Sequence, residues 1–147
     1  MVNTTIFKTD VEPFVRRWLA LRYDIGFDAD QVELVGAEPP RRSHGFDAVS
    51  TDRRVIAGIN GSSGKTSGGK NPSGKIHKAY QELYFLTLAR ADRRLLVLTD
   101  PDFYQILKRE TQGRLATGVE LLYCELPPDL TLKVRAVQRD ASAEVGG

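Results

Sequence analysis

His44-Gly45-Phe46-Asp47-Ala48-Val49-Ser50, then Thr51-Asp52, then Arg53-Arg54-Val55-Ile56-Ala57-Gly58-Ile59-Asn60, is the stretch on which the fold of this chain turns. Two apolar runs around a Thr-Asp turn signal read as a hairpin. In the second run Val55, Ala57 and Ile59 point one way, and Ile56 and Gly58 the other. Both faces are therefore covered, as in a strand deep in a mixed sheet. The first run holds an acid, Asp47, between Phe46 and Ala48, where a charge is costly unless it has a task or a partner. The plainer reading of Asp47 is a strand-end acid bonded to backbone N–H groups.

The second strand runs out into Gly61-Ser62-Ser63-Gly64-Lys65-Thr66-Ser67-Gly68-Gly69-Lys70-Asn71-Pro72-Ser73-Gly74-Lys75. Lys65, Lys70, Lys75 and Lys78 follow with no acid among them. A cationic segment rich in backbone N–H groups suits an anion, above all phosphate. Gly61 to Ser67, after the apolar Val55 to Ile59, looks like a short P-loop, which gives a nucleotide binder as one reading. A P-loop must lead at once into a helix facing the phosphates, and Ser67 to Gly74 has the wrong composition for that. A loop that wraps nucleic-acid phosphates is more economical. Arg41, Arg42 and His44 extend the candidate nucleic-acid contacts, and Arg53-Arg54 would add to a basic rim. Each has a bland counterpart: a solvated charge pair, or a loop-end side chain for His44.

Working outward, Thr9-Asp10-Val11-Glu12 reads as a capping box, and Phe14, Val15, Trp18 and Leu19 continue at helical spacing to about Tyr23. Gln31 to Gly36 alternates as a short strand. A helix from about Lys75 to Arg90 carries Ile76, Ala79, Tyr80, Leu83 and Leu86 on one face, with Lys78 and Glu82 on the other side. Arg94 to Thr99 is a buried strand, and Asp100-Pro101 caps and opens a third helix. Val119 to Leu126 is a strand stopped by Pro127-Pro128, and Leu132 to Val137 reads as one more edge strand. Residues 1–138 then form one domain, and 139–147 a disordered tail.

With 147 residues and 41% apolar content the chain can bury a full core, and a net charge of +2 excludes a histone-like polycation. One cysteine, Cys124, excludes an internal disulfide and fits the cytoplasm. Cys124 lies in an apolar strand and reads as core. No apolar run is long enough to span a bilayer, and the N-terminus lacks a signal pattern, so neither membrane nor secretion is expected.

The order α, β, β, β, α, β, α, β, with Phe46-Asp47 on the second strand and a hairpin into the third, resembles the restriction-endonuclease-like superfamily, the PD-(D/E)xK nucleases. The resemblance covers about residues 10 to 126. It implies an α/β three-layer sandwich with a central mixed sheet of four or five strands. It also implies a Mg²⁺-dependent nuclease, or a nuclease-derived domain, acting on DNA rather than RNA. In that family the second-strand Asp binds the metal, and an acid–x–lysine pair on the third strand completes the site. Here that pair falls on Gly58-Ile59-Asn60, which supplies neither group. Either the domain binds or scaffolds without cutting, or the groups have migrated. The migrated acid would be Glu82, a metal ligand with Asp47, and Lys70 or Lys65 would supply the cation, with Lys75 a further candidate. The plainer reading of Glu82 is an exposed i,i+4 partner of Lys78. Glu12, Glu33 and Asp52 are further possible ligands. Many nucleases of this fold pair to cut two strands, so a homodimer or a place in a larger complex is expected.

Overall fold

The computed structural model describes residues 5–36, 38–65 and 72–146, with side chains through 139. Among them, five strands form one sheet in the order β1-β2-β3-β4-β5: Phe27–Glu33, Ser43–Ser50, Val55–Asn60, Arg93–Leu98 and Val119–Tyr123. The first three are antiparallel neighbours, and β3-β4 and β4-β5 are parallel. Four α-helices flank the sheet: α1 Glu12–Tyr23, α2 Ser73–Leu88, α3 Pro101–Glu110 and α4 Pro128–Gly146. The chain is thus α/β with a five-stranded mixed sheet. No helix among the described residues is long and apolar enough to cross a membrane.

Alternation along β3 and β4 divides the core in two. Ile56, Leu96 and Leu98 pack with Ile76, Ala79, Leu83 and Leu86 of α2 and Phe103 and Leu107 of α3. Val55, Ala57, Leu95 and Val97 pack on the opposite side with Val15 and Leu19 of α1 and Leu130 and Val134 of α4. Burial on both faces is what a strand flanked by parallel crossovers requires. Cys124 lies in the second cluster, and burial pushes its thiol up to about 12, so it acts as a small core hydrophobe.

Three elements depart from expectation. The chain is already helical at Thr5, and Thr9 Oγ1 donates to the Thr5 carbonyl, so the capping box is not made. A π-helical turn, Phe7–Val11, precedes Pro13, whose ring nitrogen has no proton to give. The strand read at Gln31 to Gly36 starts earlier: β1 buries only Phe27 and Val32, and four exposed residues between them hide it in the sequence. The edge strand read at 132–137 is instead part of α4. Pro128 opens a helix rather than ending a strand, and the buried pair is Leu130 and Val134, four apart, while Leu132 is 66% exposed. The backbone of 139–146, expected to be an unstructured tail, continues that helix.

The sequence reads the start of α3 correctly: Asp100 Oδ2 accepts the Phe103 N–H at 2.9 Å, with Pro101 in the first turn. The end of α2 uses a side chain from the next strand. Arg94 Nη1 donates to the carbonyls of Leu86, Thr87 and Ala89, and Nη2 to Thr117. A guanidinium over the last carbonyls of a helix satisfies orphan acceptors and the negative end of the dipole together.

Candidate functional site

The site forms where β2 and β3 part. Their ladder pairs Val49 with Ile56 and Ala48 with Ala57, then stops. On the other side of β2 the register slips: Val49 faces Asp28 but Phe46 faces Asp30, so Asp47 and Ala48 together oppose Ala29. This is a β-bulge, a device that bends a strand and re-aims a side chain. At the fork Asp47 Oδ2 accepts the Ile59 N–H at 2.8 Å, replacing a lost strand partner. The backbone-bonded reading of Asp47 is therefore correct as far as it goes. Only one carboxylate oxygen is committed in this way.

Glu82 approaches from α2. Asn60, 5% exposed at the end of β3, donates its Nδ2 to Glu82 Oε1 at 2.6 Å, and its Oδ1 accepts the Ser62 N–H. Burial pushes the Glu82 carboxyl up to about 7; the Asn60 bond and Lys78 oppose this, and the charge of Asp47 adds to it. Glu82 is thus turned toward the sheet and is not an exposed partner of Lys78. Gly58 lies one step back on the same strand face. A Cβ built there sits 3.3 Å from Leu96 Cδ1, so an acid at this position would have to push Leu96 aside.

Glu12 approaches from the opposite side of the sheet. Its carboxyl is raised by burial and by Asp47, against Arg16. Arg16 joins the two, donating Nε to the Asp47 carbonyl at 2.8 Å and Nη2 to Glu12 Oε1 at 3.3 Å. The sequence offered one signal for Arg16, its i,i+4 spacing from Glu12. Asp47 therefore raises the cost of ionising both Glu12 and Glu82. Crowding of like charge is what a divalent cation relieves, and Mg²⁺ needs only one or two carboxylates. Among the described residues no three Asp, Glu, His or Cys side chains converge as a metal cluster. Of the carboxylates near the fork, Asp47 and Glu82 are the pair that could hold a cation there. Glu33 and Asp52 are not brought there: Glu33 pairs with Arg41, and Asp52 accepts Ser50 Oγ and the Arg54 N–H in the hairpin turn.

The cationic segment is partly tied down. Gln138 donates to the Gly61 carbonyl, Gly64 N–H donates to Asp100 Oδ2, and Lys75 Nζ donates to the Ser63 carbonyl at 2.7 Å. Burial lowers the pKa of Lys75, against the pull of Asp100, and its ammonium is engaged with loop backbone rather than with the carboxylates. Lys65 is exposed, Lys78 lies near Glu82, and Lys70 falls outside the described residues. The helix α2 begins at Ser73, so Lys65 is not at its N-terminus as a P-loop lysine would be.

Arg41 and Arg42 precede β2 and stand at the same end of the sheet as this segment, Arg41 ion-paired to Glu33 at 2.9 Å. Arg53 and Arg54 lie in the hairpin turn at the far end, paired with Asp30 and Asp92, so the basic rim does not include them. His44 stacks on Phe85 of α2, centroids 4.0 Å apart and planes 5° apart, and meets Phe46 edge-on. It packs β2 against α2. No family model matches the chain, and comparison with curated proteins and with solved structures gives no match.

Proposed function

We propose that this domain is a restriction-endonuclease-like, metal-dependent nuclease, or a domain derived from one, acting on DNA phosphodiesters. The observation that carries the reading is the electrostatic coupling of Asp47, at the fork of β2 and β3, to Glu82, which α2 presents to the end of β3 through Asn60. This puts a carboxylate from the helix beside the strand position that Gly58 leaves without one. Antiparallel β1-β2-β3 followed by parallel β4 and β5 supports the same class.

Asp47 and Glu82 would hold Mg²⁺, which when bound neutralises phosphate charge and acidifies a water. Arg16 fixes the backbone of Asp47 and offsets part of the local negative charge. Lys65 and Lys78 supply cations for the phosphates, and Arg42 extends that surface along the same end of the sheet.

A second reading, a DNA-binding or assembly domain with a decayed site, is favoured by one observation. Lys75, in the first turn of α2, gives its ammonium to the Ser63 carbonyl rather than to the site. Calorimetric titration with Mn²⁺, wild type beside Asp47→Ala, separates the two. Binding that the substitution removes, together with cleavage of duplex or single-stranded DNA, supports the nuclease. Absence of Mn²⁺ binding with DNA affinity retained supports the binder.

A further inference from the structure

We infer that a cavity at the carboxyl ends of β3, β4 and β5 receives one nucleobase of the strand held at Asp47 and Glu82; the identity of this ligand rests on the nucleic-acid reading above. The cavity has a volume of about 410 Å³, within the usual size of a small-ligand site. Its walls are Gly61 after β3, Thr99 and Asp100 after β4, Tyr123 at the end of β5, and the first turns of α4. Ligands of sheets with parallel strands gather outside those carboxyl ends. Gly61 directly follows Asn60, the residue that holds Glu82, so cavity and site are joined by one peptide bond at the same end of the sheet.

The lining suits a neutral, planar, polar group. Tyr123 is half-buried and lies against Tyr104, centroids 5.7 Å apart. Burial, then Glu125 and Asp100, raise the Tyr123 pKa while Arg135 opposes them, so two carboxylates and a guanidinium act on one aromatic hydroxyl. Asp100 and Glu125 against Arg135 leave an excess of negative charge, which repels a phosphate inside the cavity. A base carries no charge and presents both acceptors, for a guanidinium, and amino donors, for a carboxylate. Arg135 has no hydrogen bond or ion pair among the described residues and is free to serve. Leu126, Leu132 and Val134 supply an apolar wall for the base face, as in single-strand binding sites. The phosphate stays outside, with Lys65 exposed on the adjoining segment.

The test is ¹⁵N NMR of the full chain titrated with each deoxynucleoside monophosphate and, separately, with inorganic phosphate. Wild type is compared with Leu132→Trp, which fills the mouth from an exposed position, and with Arg135→Ala, also exposed. The expected result is a shift of the Gly61 and Gln138 amides by nucleotides but not by phosphate, with affinity lowered at least about fivefold in each variant. Shifts reproduced by phosphate, no shift at those amides, or variants that bind like wild type would each overturn the assignment. Mn²⁺ titration of the same samples reads the other site independently. Metal binding with a silent cavity overturns only the base subsite. Nucleotide bound in the cavity without Mn²⁺ binding keeps the subsite and overturns the nuclease.

Discussion

Asn60 donates its side-chain amide to Glu82 Oε1 at 2.6 Å, so the last residue of β3 fixes an acid that belongs to α2. The bond crosses from sheet to helix and, among the described residues, leaves the second carboxyl oxygen of Glu82 uncommitted. It also favours the ionised form, against a burial that favours the protonated one.

That balance makes stability depend on pH. The folded-state pKa of Glu82, about 7, lies above its unfolded value of 4.5, so the folded state holds the proton more tightly. Stability from this group is full below pH 4.5 and is lost as pH rises through about 7. Glu82→Gln should abolish this slope and be the more stable protein at pH 8, by roughly 1–3 kcal/mol. Urea denaturation of both proteins across this range checks it; parallel curves would refute it.

In the proposed metal site the same proton competes with a cation. Binding of Mn²⁺ requires Glu82 to ionise, so affinity should fall as pH drops below about 7 and a proton should be released on binding. Calorimetry in buffers of different ionisation enthalpy measures that proton directly.

The observed bond of Asp47 and its proposed metal-binding role can be separated by substitution. Asp47→Ala leaves the Ile59 N–H without an acceptor and should cost about 1–3 kcal/mol. Asp47→Asn keeps a carbonyl oxygen for that N–H, so most of the stability should return while Mn²⁺ binding does not. Thermal melts with and without metal distinguish the outcomes.

Asn60→Ala should destabilise by about 1–3 kcal/mol, because a buried carboxyl loses its donor. It should also raise the Glu82 pKa further, since the lost bond was lowering it. A carbon-13 NMR titration of the Glu82 carboxyl tests the direction.

Arg94→Ala should cost about 2–4 kcal/mol, since one guanidinium serves four carbonyls at the end of α2 and before β5. Arg94→Lys should recover only part of this, because an ammonium lacks the fork. Chemical denaturation decides; equal stability of Arg94→Lys and wild type would argue against the fork.

The hairpin, the helix face of α2 and the start of α3 were legible because each follows a short-range rule: period two, period near four, or a cap. The acid on α2 was legible only as an option, since whether Glu82 faces water or the sheet depends on where α2 lands. The fork was not legible, because a bulge at Asp47-Ala48 shows only against β1. The opening of α4 was misread because Pro127-Pro128 punctuates a strand end and a helix start alike. The anchoring of Gly61 to Gly64 by Gln138 and Asp100 joins residues 77 and 36 positions apart, which no local pattern reports.

The bulge also says which mutations matter over descent. Two residues of β2 share one place opposite Ala29, so the site is encoded as an insertion as much as by side-chain identity. Deleting one of the pair would restore a regular ladder, keep the sheet, and withdraw the carboxylate from the fork. In lineages of this domain, a single-codon deletion here would remove the fork carboxylate while leaving a folded protein and an unaltered core.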